Sequence, residues 1–271
     1  LDSKISHVIR GDDHVNNTFK QINVFKALNK NVPTYGHVPM ILGEDGKRLS
    51  KRHGALGVRE YAALGILPEA LKNYLLRLGW SLGDDEIFTG EDMKKSFQLG
   101  ILNKSPATFS MDKLLWFNKY YLDQMSIDQL MEVVALQHFD GSEYSKTVME
   151  TIRDRCSTLN EFSTNADYFF KEPEDYDPSL ILKHCKKDTF NHLSLLKEQL
   201  EALEIWEQTH IKEVIDKVVS DLDIGFGKIG LHIRLALTAT VNSPSIDLVC
   251  EILGKEITLR RLESFLTKIK N

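Results

Sequence analysis

The sequence predicts a mainly α-helical protein whose strand character is confined to its first fifth. Three observations carry this. From Val58 almost to the end, apolar residues recur at three- and four-residue spacing. β-prone runs occur only near residues 5–9 and 35–42. Hydrophobic residues make up 42% of the 271 residues, enough for sizeable cores, yet no apolar run approaches the ~20 residues of a membrane helix. The length suits about two domains, or three small ones.

The elements follow in order. Residues 5–9 form a short strand that runs into the polar turn 10–14. Asn17 or Thr18 can then cap a helix carrying Phe19, Ile22, Phe25 and Leu28. Pro33 ends that region, residues 35–42 are extended, and Gly43-Glu44-Asp45-Gly46 marks a turn. Pro68 sits where a first helical position would fall, ahead of the stripe Leu71, Leu75 and Leu78. Ser126 with Gln129, and Thr158 with Glu161, have capping-box spacing. Asp177-Pro178 opens another helix. Leu193, Leu196, Leu200 and Leu203 line one face, Ile211, Val214, Ile215, Val218 and Leu222 the next, and Leu262, Phe265, Leu266 and Ile269 the last. Helix packed on helix is the expected architecture. Boundaries are expected near Leu122 and in the stretch 172–178.

A net charge of −5 (34 Lys and Arg against 39 Asp and Glu) excludes a uniformly basic protein, so any polyanion must meet a local patch. Three dispersed cysteines, Cys156, Cys185 and Cys250, favour reduced thiols and a cytoplasmic setting. No metal-ligand spacing stands out. The chain begins at Leu1 rather than Met, and a piece of a longer protein is expected.

Two motifs could carry chemistry. Residues 225–230 spell G-x-G-x-x-G, but the preceding segment is helical in period and no βαβ unit surrounds it, which favours a glycine-rich link over a dinucleotide site. Residues 46–54 place four cations, Lys47, Arg48, Lys51 and Arg52, between glycines. Such a loop suits a phosphate-rich ligand, with Ser50 offering a hydroxyl. Charge alone leaves a solvated basic loop open as well.

Order along the chain adds to this. Arg10-Gly11-Asp12-Asp13-His14 precedes Tyr35-Gly36-His37-Val38-Pro39-Met40-Ile41, and then Arg48-Leu49-Ser50-Lys51-Arg52. With Leu67-Pro68-Glu69-Ala70-Leu71, Leu78-Gly79-Trp80-Ser81, Asp112-Lys113-Leu114-Leu115-Trp116 and Gly227-Lys228-Ile229, the sequence resembles the class I aminoacyl-tRNA synthetases, specifically the bacterial-type glutamyl-tRNA synthetases. Residues 48–52 resemble the family's KMSKS signature. Arg48 stands where the first lysine is usual, which exchanges a point charge for a planar fork. Asp12 stands where the family often has Glu. The family's His-Ile-Gly-His signature is not found. The resemblance implies the last strand of a Rossmann catalytic domain in 1–13, a stem-contact region in 14–122, and two helical anticodon-binding subdomains in 123–183 and 184–271.

It also implies a reaction and roles. Glutamate and ATP, with Mg²⁺, form an adenylate, and the glutamyl group then moves to the 3′ end of glutamate tRNA. Arg10 would clamp the glutamate carboxylate, although an ion pair to Asp12 or Asp13 is the plain alternative. Asp13 and Ile41 fall at ATP contacts, and Ile41 equally suits ordinary core. Lys51 would meet charge developing on pyrophosphate. Arg155 matches the arginine that reads the last anticodon base, a cytosine; pairing with Glu161 or Asp154 is its alternative. Arg234, Ser243 and Ile246 match positions that meet the first anticodon base. Glutaminyl relatives carry a β-barrel-like C-terminal region, whereas this one is helical in pattern. The implied protein is a ligase, inactive as this chain alone, with no tightly bound metal, no membrane association and a monomeric state. A non-catalytic tRNA-binding module is the alternative.

Overall fold

The computed structural model describes residues 3–50, 56–134, 139–173, 176–186 and 188–270. The chain divides into two compact units, Leu1–Gln124 and Met125–Asn271.

The first unit opens with strand β1 (His7–Gly11), helix α1 (Val15–Ala27) and strand β2 (Thr34–Val38). The strands pair in parallel, with His7 opposite Thr34 and Gly11 opposite Val38. A parallel pair needs a crossover, and α1 supplies it. Gly36 fits against Ile9, whose Cδ1 would lie 2.7 Å from an added Cβ. The helix starts earlier than the capping signals suggest. His14 holds the cap position, and Thr18 sits one turn inside, returning its hydroxyl to the His14 carbonyl at 3.3 Å.

Helices α2 (Val58–Ala63), α3 (Pro68–Gly79), α4 (Gly90–Ser96) and α5 (Met111–Gln124) complete this unit. Pro68 is at the start of α3, as its fixed φ favours. The helix buries Ala70, Leu71, Tyr74 and Leu78 and packs on α5, which buries Leu114, Phe117 and Leu122. Two buried asparagines tie loops to this pair. Asn73 Oδ1 accepts from the Phe88 amide at 2.8 Å and the Tyr121 hydroxyl at 2.9 Å. Asn118 Oδ1 accepts from the Leu67 amide at 2.7 Å, while its amide group donates to the Gly65 carbonyl at 3.2 Å. Buried amides that satisfy loop backbone in this way fix the loop as well as the helix.

The second unit is built from α6 (Ile127–Val134), α7 (Glu143–Arg153), α8 (Leu159–Phe170), α9 (Pro178–His184), α10 (Thr189–Glu201), α11 (Gln208–Asp221), α12 (Gly227–Thr238), α13 (Ile246–Leu253) and α14 (Lys255–Lys270). The Ser126–Gln129 box forms, with reciprocal bonds of 2.8 and 3.2 Å. Thr158 caps α8 through the Glu161 amide, but the Glu161 carboxylate bonds the Ser157 amide rather than that of Thr158. The glycine-rich stretch is divided: Gly225 lies in the link and Gly227 opens α12, directly after a helix rather than a strand. Gly230 has a packing reason, since an added Cβ would meet the Phe226 ring at 2.7 Å. Among the described residues, no helix is long and apolar enough to cross a membrane.

Candidate functional site

Each unit carries one candidate site. In the first, β1 delivers Arg10 to the end of the parallel pair. Its guanidinium donates to Thr18 Oγ1 at 2.8 Å and lies over the Tyr35 ring, 5.2 Å from the centroid. Among the described residues it reaches these partners, and no ion pair joins it to Asp12 or Asp13. Arg10 Nε is buried without a hydrogen-bond partner, and the side chain lines a cavity of about 720 Å³ with Val8, Gln21, Phe25 and Tyr35. An arginine held by a neutral hydroxyl and an aromatic face keeps its charge available to an anion.

The basic loop comes to the same end of the sheet. The turn at 43–46 closes through the Gly43 amide to the Lys47 carbonyl at 2.8 Å, with Gly46 at φ +73°. The Leu49 amide donates to the Ile41 carbonyl at 2.9 Å, which sets the half-buried Ile41 beside the loop. Arg48 then meets Asp13, thirty-five residues earlier, at 3.3 Å. Leu49 and Ser50 are half-buried. Lys51 and Arg52 lie outside the described residues.

The second site lies wholly within Met125–Asn271. A cavity of about 430 Å³ is lined by Arg155, Glu161, Asn165, Tyr168, Asn242 and Ser243, with Pro244 beside them. Arg155 follows α7, Asn165 and Tyr168 project from α8, and 242–244 precede α13. The half-buried Arg234 of α12 joins this group by donating from Nε to Ser243 Oγ at 2.8 Å; that hydroxyl donates on to the Pro244 carbonyl at 2.9 Å. Three predicted residues from three sequence regions therefore converge. Arg155 is exposed and makes no ion pair with Glu161 or Asp154 among the described residues. Ile246 is buried at the first position of α13.

The electrostatics are those of a cationic pocket. Burial, and then the nearby Arg155 charge, lower the Arg234 guanidinium from its ordinary value, with Tyr168 partly opposing. Burial pushes the Tyr168 phenol well up despite Arg155 and Arg234, so it stays a neutral hydroxyl. Arg261 underlies the pocket. Only 2% exposed, it donates to the Tyr168 and Leu237 carbonyls at 2.7 Å and to that of Lys171 at 2.9 Å, and Nε lies 3.2 Å from Glu172. It thus ties the ends of α8 and α12, the two helices that present Tyr168 and Arg234. Tyr168 and Arg261 were not singled out from the sequence. A signal existed for Arg261, a charge at helical spacing beside Leu262 and Phe265; none existed for Tyr168.

Both units match known protein families. Residues 122–266, more than half of the chain, match the family described as "Anticodon binding domain". Residues 1–116 match "tRNA synthetases class I (E and Q), catalytic domain". The chain thus belongs, over its larger part, to the anticodon binding domain family. Among curated relatives, the glutamate–tRNA ligase of Legionella pneumophila strain Paris is 44% identical over 99% of this chain, and that of strain Corby is 43% identical. The chain spans 58% of the length of these relatives. Among solved structures, a glutamate tRNA ligase from Elizabethkingia meningosepticum, in complex with its amino acid, is similar with a TM-score of 0.76 at 27% identity, covering 99% of this chain and 58% of its own.

Proposed function

We propose that this chain is the signature-loop and anticodon-reading portion of a glutamate–tRNA ligase, which activates glutamate with ATP and transfers it to the 3′ end of glutamate tRNA. The observation that carries this is the convergence of Arg155, Arg234 and Ser243 on one cavity. An unpaired base exposes its pairing edge to an arginine fork, and Arg155 makes no ion pair among the described residues. In this reading Arg155 reads the last anticodon base, a cytosine, while Arg234, Ser243 and Ile246 meet the first.

At the other end, Arg10 holds the substrate carboxylate, Asp13 and Ile41 contact ATP, and Lys51 stabilises charge leaving with pyrophosphate. Residues 48–52 act as the signature loop, and the Arg48–Asp13 pair supports their place near the ATP contacts. In this reading Mg²⁺ accompanies the ATP phosphates. Residues 1–13 then end the nucleotide-binding fold, 14–122 contact the acceptor stem, and 123–183 with 184–271 form the anticodon subdomains. The protein acts in the cytoplasm as a monomer. A non-catalytic tRNA-binding module is the second reading, favoured by the cavity lying wholly within Met125–Asn271.

The test is a titration of the chain with glutamate tRNA and glutamine tRNA at one fixed salt, beside Arg155→Gln. The expected result is tighter binding of glutamate tRNA, lost roughly 5- to 150-fold in the variant, the range for one base-reading arginine. Binding that ignores the last anticodon base in both proteins would sink the assignment.

A further inference from the structure

The cavity holds a buried polar group with nothing to do. The Tyr168 hydroxyl is buried without a hydrogen-bond partner in a side chain only 6% exposed. Two other oxygen-bearing side chains at the cavity are engaged among the described residues. Glu161 accepts from the Ser157 amide, and the Ser243 hydroxyl bridges Arg234 and the Pro244 carbonyl. The Asn165 amide nitrogen is turned to Cys156 Sγ at 3.3 Å. Tyr168 itself is fixed, since its carbonyl accepts from Arg261 at 2.7 Å. A buried, unsatisfied hydroxyl on a rigid helix is costly unless a ligand completes it.

Resting on the anticodon reading above, we propose that Tyr168 is a further specificity-determining residue, its hydroxyl oxygen accepting a hydrogen bond from the exocyclic amine of the cytosine that Arg155 engages. The division of labour follows from donor chemistry. A guanidinium only donates, so Arg155 serves the two acceptors of a cytosine edge. The amine is the one donor on that edge, and it needs an acceptor. The neutral phenol supplies one in a place shielded from water, where the bond is strengthened by low dielectric.

The test is a two-by-two binding comparison with an anticodon stem-loop RNA. Its last anticodon base is either cytosine or 2-pyrimidinone, which lacks only the amine; the protein is either wild type or Tyr168→Phe. Phenylalanine removes one oxygen and strands no partner. Wild type should bind the cytosine loop about 3- to 10-fold more tightly than the 2-pyrimidinone loop, the range for one hydrogen bond. Tyr168→Phe should lose that advantage on cytosine and bind 2-pyrimidinone as wild type does. Equal losses on both RNAs, or no loss on either, would overturn the role of Tyr168 while leaving Arg155 standing. Wild-type protein that binds neither loop would overturn the anticodon reading and this inference with it.

Discussion

Helices α1 and α10 carry similar apolar spacing and come to different ends. In α10, Leu193, Leu196 and Leu200 are all fully buried, because α11, α12 and α14 close on that helix. In α1, Phe19 is 65% exposed and Leu28 is exposed, while Ile22 and Phe25 are half-buried and Thr18 alone is buried. The period tells which residues share a face. How deeply that face is buried depends on how many other elements meet it, and the period carries no such information.

The interlocking of the second unit is tested most severely at Arg261. Arg261→Met keeps the length and the apolar stem but strands three helix-end carbonyls, those of Tyr168, Lys171 and Leu237. At about 1 kcal/mol or more for each unsatisfied acceptor, a loss of about 3 kcal/mol is expected in urea unfolding. The ion pair to Glu172 adds little, because that carboxylate is half exposed. A variant as stable as wild type would show that α8 and α12 are held by apolar packing alone.

The comparison of the two helices is broken or kept by a pair of substitutions. Leu196→Ala removes a fully buried side chain from α10 and should cost about 2–5 kcal/mol. Phe19→Ala removes a larger side chain from α1 and should cost no more than about 0.5 kcal/mol. Equal losses in denaturant titrations would mean that exposure in this chain does not track energetic weight.

The same distinction explains how much the sequence revealed. Signals that act within one turn were legible: Pro68 opens α3, Asp177 caps α9 and Ser126 with Gln129 closes on itself. Thr18 was misplaced as a cap because its hydroxyl has a competing partner, Arg10, eight residues away. Family resemblance pointed to Arg10, Arg155, Arg234 and Ser243, and the structure gathers the last three about one cavity. Tyr168 was not legible, because its meaning arises where α8 meets the segment 242–244. Nor was the Arg48–Asp13 pair, which needs the crossover and the turn at 43–46 to be built first.

The smallest effect expected is at the exposed start of a helix. Asp140 precedes α7 and is held down to about 2 by hydrogen bonds from the Ser142 side chain and amide and from the Ser145 hydroxyl. Its folded value lies below the ~3.9 of an unfolded aspartate, so its stabilising contribution is present above about pH 4 and is lost as the pH falls toward the folded value. The negative charge at the start of α7 acts in the same sense. Asp140→Asn keeps an acceptor oxygen and has no charge to lose. The melting temperature of wild type should therefore fall more steeply than that of Asp140→Asn between about pH 4 and pH 2, with the two curves converging at the acid end. Parallel curves would show that these three bonds are as good to a protonated carboxyl as to a carboxylate, and that α7 starts where it does for the sake of its buried Ser145, Val148 and Met149 alone.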